Sequence, residues 1–109
     1  MIYHWCARQD WEGAHDPHTT PSLEAEGFIH FSFLDQVERT ASQWNAGHHD
    51  LVLLAVNPEG LPLVVEDSYE VGEEYPHIYG PLPFRAVAGV VPFPPEADGT
   101  FRLPPGLPT

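Results

Sequence analysis

Seven histidines stand in a chain whose only other basic side chains are four arginines. Imidazole is the side chain whose ordinary pKa lets it bind, donate or accept a proton near neutral pH. His30 has the most telling setting, inside the apolar segment Gly27-Phe28-Ile29-His30-Phe31-Ser32. In strand alternation Phe28, His30 and Ser32 share one side, with Ile29 and Phe31 on the other. A helix predicted to begin just beyond would favour bound anions and a neutral imidazole. That placement suits ligand contact. The structural alternative is a core histidine satisfied by a backbone carbonyl.

A second unit, Tyr75-Pro76-His77-Ile78-Tyr79-Gly80-Pro81-Leu82, packs two prolines, a glycine and two tyrosines around His77. Such a stiff backbone path can present His77 and Tyr79 to a pocket, or its aromatics can simply cover a core. His4 lies in the first predicted strand. Glu66 ends a run of apolar residues, where a carboxylate at a solvent-facing strand end is the plain structural reading.

Metal chemistry has its own candidates. His15 and His18, with Asp16 between them, and His48-His49-Asp50 supply ligand types that zinc accepts. Their spacing fits no strict zinc motif, and structural or incidental roles account for them more simply. Cys6, in a strand beside Trp5, reads as an inert thiol and not as a nucleophile. The glycine-rich phosphate loops of nucleotide-binding folds and the Gly-x-Ser-x-Gly of hydrolases are absent from the sequence.

The elements that must position these residues follow from pattern. Ile2 to Ala7 is rich in β-formers and predicts a strand. Residues 8–22 mix Asp, Gly, His, Pro and Thr and predict a loop, with Trp11 pinning it to the core. Residues 27–31 predict a short strand. Ser32 is an expected N-cap with Asp35 three residues on, and Leu34, Val37, Ala41 and Trp44 fall on one helical face. The helix is expected over about 33–46, stopped by Gly47. Leu51 to Val56 is an unbroken apolar run suited to a strand covered on both faces. Asn57-Pro58-Glu59-Gly60 is a turn, after which Leu63 to Glu66 is expected to form a hairpin partner. Residues 67–75 read as an acidic loop, Ile78 to Gly80 as a short strand and Ala86 to Val91 as another. The expected fold is α+β: a mostly antiparallel, split or partly barrel-like sheet with one main helix, in a single domain over residues 1–93, followed by a proline-rich tail over 94–109.

Sixteen acidic residues against four arginines give a formal net charge of −12. Such a surface repels phosphodiester backbones, so extended nucleic acid is not an expected partner, while a small-molecule ligand is. No apolar run approaches the roughly 18 residues of a membrane span. A single cysteine and an amino terminus without a basic, apolar leader pattern predict a reduced, cytoplasmic setting. Oligomeric state is not written in the sequence.

Taken together, Ile2-Tyr3-His4, the His30 segment with Gln36 after it, the Leu51 to Val56 strand, Glu66 and Pro76-His77-Ile78-Tyr79-Gly80-Pro81-Leu82 resemble the bacterial family catalogued as domain of unknown function 952. The resemblance spans about residues 2–91. It implies similarity to the ADP-ribosyltransferase-like fold, whose active members hold NAD in a cleft of a split sheet. Carried over by position, His4 would contact the adenosine ribose, His30 would stack on nicotinamide, and Glu66 or His77 would assist at the reacting ribose. Phe28, Ser32, Gln36 and Tyr79 would be ligand contacts. Three functions follow as expectations: a binding domain for a small metabolite or nucleotide-type ligand without catalysis; an ADP-ribosyltransferase-like enzyme acting on NAD or an ADP-ribosylated or phosphorylated small molecule; and a metal-dependent protein using surface histidines.

Overall fold

Leu51–Val56, six apolar residues in succession, form a strand with no solvent-facing side, and all six are buried. In the computed structural model, which describes residues 1–109, this strand (β3) is the middle of a three-stranded antiparallel sheet. Its neighbours are β1 (Ile2–Ala7), with Ile2 opposite Val56 and Ala7 opposite Leu51, and β6 (Val87–Pro92). Alternation divides its side chains between two cores. Val52, Leu54 and Val56 join Ile29, Phe31, Ile78 and Leu82 on one face; Leu51, Leu53 and Ala55 join Tyr3, Val37, Ala41, Phe93 and Phe101 on the other.

A second three-stranded antiparallel sheet runs in the order β2 (Ile29–His30), β5 (Tyr75–Ile78), β4 (Leu63–Glu66). The two sheets meet where Tyr3 and Ser32 exchange backbone hydrogen bonds, Tyr3 N–H to Ser32 O at 2.9 Å and the reverse at 2.8 Å. The architecture is a small α+β fold of two antiparallel sheets. None of its helices is long and apolar enough to cross a membrane.

Several sequence expectations are corrected here. Residues 8–22 are not one loop: α1 (Arg8–Glu12) follows β1 directly, and α2 (Pro21–Glu26) begins at the end of the stretch. Thr20 caps α2 by accepting from Leu23 N–H, Pro21 occupies the first turn, and Gly27 at φ 89° ends it in the left-handed region. Gly27 therefore closes a helix and does not open a strand, and β2 shrinks to Ile29–His30. Trp11 does pin this stretch, packing against His18 and Phe84.

The main helix, α3 (Leu34–Trp44), starts one residue later than expected, with Phe33 as N-cap. Gln36 Oε1 accepts the Phe33 N–H at 2.9 Å, while Ser32 is a buried residue of the sheet junction. Val37 and Ala41 are buried as their spacing requires, but Trp44 is 67% exposed. The strand β4 does not form a hairpin with β3, because both edges of β3 are already occupied. It pairs with β5, Glu66 opposite Tyr75 and Leu63 opposite Ile78. β5 begins at Tyr75, three residues before the strand expected from the sequence, and carries Pro76 in its interior. Residues after Pro92 return to the domain: Phe101 is 1% exposed in the second core, and the Tyr3 hydroxyl donates to the Pro108 carbonyl at 2.8 Å.

Candidate functional site

The antiparallel pairing of β2 with β5 places His30 opposite His77, their ring centroids 5.4 Å apart. His77 is fully buried, stacked on Phe28 at 4.2 Å with an interplanar angle of 18°. Its Nδ1 lies 3.1 Å from Glu66 Oε2, and Tyr79 donates its hydroxyl to the same carboxylate oxygen. A carboxylate can only accept, so Nδ1 carries the proton and Nε2 the lone pair, which faces the Tyr69 hydroxyl at 3.3 Å. Tyr69 also contacts His30 Nδ1, and His30 Nε2 lies 2.9 Å from Glu26 Oε2. The result is one hydrogen-bonded chain: Glu66, His77, Tyr69, His30, Glu26. Tyr69 has one hydroxyl proton for two imidazoles, so it donates to one ring and accepts from the other.

Environment tunes the members of this chain. The Tyr79 hydroxyl, and then the His77 ring, hold the Glu66 carboxyl below its ordinary range. Burial pushes His77 downward against the opposing pull of Glu66. Burial, helped by the Glu26 charge, pushes the Tyr69 phenol up to about 12, so it acts as a neutral hydrogen-bonding group.

Sequence reasoning missed two members, Glu26 at the end of α2 and Tyr69. Tyr69 stands in the acidic stretch between β4 and β5, where Asp67 accepts from the N–H groups of Val71 at 3.0 Å and Gly72 at 2.8 Å. Glu73 anchors the far end of that loop on α3, taking two hydrogen bonds from Arg39 at 2.7 and 2.6 Å and one from Gln36 at 2.9 Å. The Glu73 carboxyl is thereby held down at about 2. A lone aromatic in a charged loop was the available signal.

A cleft of about 580 Å³ opens between this loop, α3 and β1, with Trp5, His30, Ser32, Trp44, Tyr69 and Tyr75 among its walls. Four of these six are aromatic. Arg39 and Glu73 stand at the cleft already paired to each other.

The structure thus brings together His30, His77, Glu66, Phe28 and Tyr79, and sets Ser32 in the cleft wall. Gln36 serves the cap of α3 and the loop anchor. His4 departs from the expected set. It borders the cleft but packs its ring against Phe31 and His18, with centroids at 5.4 and 6.0 Å, and meets His30 only through the latter's carbonyl oxygen at 2.8 Å. Burial lowers its pKa to about 4. Of the other histidines, His15, His48 and His49 are exposed, while His18 is buried with its ring beside that of His4.

The family described as "Protein of unknown function (DUF952)" matches residues 5–90, from within β1 to within β6. This chain belongs to the DUF952 family. Both histidine segments of the DUF952 match, around His30 and His77, fall inside those limits. The crystal structure of protein CC0527 from Caulobacter crescentus is similar with a TM-score of 0.81 and 35% identity, covering 93% of this chain and 92% of that one. The solution NMR structure of CC0527 gives a TM-score of 0.75 and 34% identity over 91% and 89% of the two chains. Nothing matches among curated proteins.

Proposed function

We propose that the protein is a binding domain for a small, planar, uncharged metabolite of the nucleobase or nucleoside type, held in the aromatic cleft, where His30 fixes the Tyr69 wall by hydrogen bonding to its hydroxyl. The observation that carries this reading is the lining of the cleft. Trp5, Trp44, Tyr69 and Tyr75 make the wall largely aromatic, as suits a flat ring, and Ser32 and Gln43 stand among them as polar groups. A volume of about 580 Å³ is in the range of small-molecule sites.

Charge selects the ligand class. The cation at the cleft, Arg39, is spent on Glu73, and the chain's formal net charge is −12. Both features disfavour a pyrophosphate, which needs free cations to offset its own charge. This argues for a nucleoside-like ligand over NAD.

The enzyme reading asks for a carboxylate beside the reacting ribose, where it would stabilise positive charge as the nicotinamide bond breaks. Glu66 is ionised but committed to His77 and Tyr79, and it does not line the cleft. Thermal-shift measurements with adenosine, nicotinamide and NAD, run alongside an assay of nicotinamide release, separate the two. Stabilisation by adenosine or nicotinamide without turnover of NAD supports binding; release of nicotinamide at a rate abolished by Glu66→Gln replaces the binding reading with the enzyme.

A further inference from the structure

We propose that His4, Cys6 and His18 form a binding site for a divalent cation of the zinc class, on the opposite side of His4 from the aromatic cleft and independent of what that cleft binds. His4 and Cys6 are two residues apart on β1 and so share a face of the strand. His18 is fixed beside them by a pair of backbone hydrogen bonds with Leu82, each 2.8 Å, and by Trp11 packed edge-on to its ring at 5.4 Å. One ring nitrogen from each histidine and the Cys6 sulfur all lie within 4.8 Å of one another. A tetrahedral zinc with these ligands needs separations of about 3.3–3.7 Å, so the three donors draw together on binding.

Two independent features point to a ligand and not to a plain core. The Nε2 atoms of both His4 and His18 are buried without any hydrogen-bond partner. Leaving a buried polar nitrogen unpaired is costly, and two in one cluster call for an occupant. The tautomer is also settled. His4 Nδ1 lies 2.8 Å from the His30 carbonyl oxygen, which can only accept, so Nδ1 is the protonated nitrogen and Nε2 presents its lone pair. This is the arrangement by which metal-ligating histidines are oriented, the second nitrogen donating to a backbone carbonyl.

The donor set of two imidazoles and one thiolate is soft enough for zinc and wrong for calcium or magnesium. Three protein ligands leave a fourth position, which opens on a depression of about 610 Å³ that Asp10 and Thr20 also line. Binding replaces the S–H bond of Cys6 with a metal–sulfur bond and releases that proton to solvent, so apparent affinity rises with pH. The site differs from the surface pairs suggested by sequence spacing, because His18 pairs with His4 across the fold and not with His15.

The chain's single cysteine makes the test specific. Reduced protein without an affinity tag, stripped with chelator, is titrated with Co²⁺ and the cobalt then displaced by Zn²⁺. One equivalent of cobalt is expected to develop a thiolate-to-metal charge-transfer band and the visible bands of a tetrahedral site, and zinc is expected to raise the melting temperature. Cys6→Ser abolishes the charge-transfer band, and His18→Ala weakens zinc binding on the order of 100-fold. A triple His15→Ala, His48→Ala, His49→Ala variant keeps both signals. Cys6→Ser changes little volume and His18→Ala lies outside the regular elements, so circular dichroism can verify that both variants are folded. Absence of the sulfur band in folded wild-type protein overturns the proposal, as does zinc stabilisation that persists unchanged in both single variants. Either result leaves the cleft reading untouched.

Discussion

Glu66 and His77 meet diagonally across the β4–β5 pair: the residue opposite Glu66 is Tyr75, and His77 lies two positions further on the same side, its Nδ1 3.1 Å from the carboxylate. This contact settles the His77 tautomer and thereby turns its Nε2 toward Tyr69 and the His30 end of the chain. Glu66→Gln keeps an acceptor for Nδ1–H but removes the charge. Since the Glu66 interaction pulls the His77 pKa upward against burial, the variant is expected to titrate His77 at lower pH than wild type. Imidazole chemical shifts followed by NMR check this, and an unchanged titration contradicts the tautomer assignment.

Stability should fall well before the carboxylates titrate. Burial lowers the pKa of His4 to about 4, and it lowers those of His18 and His77 as well. The unfolded chain, with histidines near 6.5, then binds more protons than the folded one between about pH 6.5 and 4. Stability is therefore present above 6.5 and lost progressively as pH falls through that window. Urea midpoints measured in chelator at pH 7.5, 6 and 5 are expected to decrease in that order, and a flat series contradicts burial of neutral imidazoles. Below about 4.5 the depressed carboxyl of Glu73 adds a loss of the same sign.

The segment after Pro92 contributes to the core. Phe101→Ala should cost about 3–5 kcal/mol, the usual price of emptying a buried phenylalanine site, and Tyr3→Phe about 1 kcal/mol for the hydrogen bond to Pro108. Equilibrium urea unfolding measures both. A Phe101→Ala variant within 1 kcal/mol of wild type would show that the segment adds nothing to the core.

Local pattern carried much of this fold. Six apolar residues from Leu51 suit a doubly covered strand, and the spacing of Leu34, Val37 and Ala41 marks one face of a helix. What stayed illegible was long-range. The Asn57–Gly60 turn suggested a β3–β4 hairpin, and nothing local says that β1 and β6 have taken both edges of β3. Proline is rare inside a central strand, yet β5 carries Pro76 between two neighbours. Gly27 is equally consistent with opening a strand and closing a helix, and the Thr20-Pro21 cap that decides between them lies seven residues upstream. For the cluster, His30 stood out by its apolar segment and His77 by the stiff proline- and glycine-containing path around it. Tyr69 and the His4–Cys6–His18 cluster depend on loops whose path only the fold reveals.

The loop that carries Tyr69 is shaped by Asp67. Asp67→Ala removes the acceptor for the Val71 and Gly72 amides, and both are expected to exchange with solvent at least about tenfold faster. Ligand affinity should fall with it, because Tyr69 forms a wall of the cleft. Hydrogen-exchange NMR checks the first statement and adenosine titration the second.

Binding in the cleft is tested most directly by titrating ¹⁵N-labelled protein with adenosine and, separately, with nicotinamide, in wild type and in His30→Ala. The account predicts saturable shifts confined to the amides of Trp5, Ser32, Tyr69 and Tyr75 and their neighbours for at least one of the two compounds, with affinity weakened by about 1–3 kcal/mol in the variant. Shifts absent with both compounds, or located elsewhere, or an affinity unchanged by His30→Ala, would contradict it.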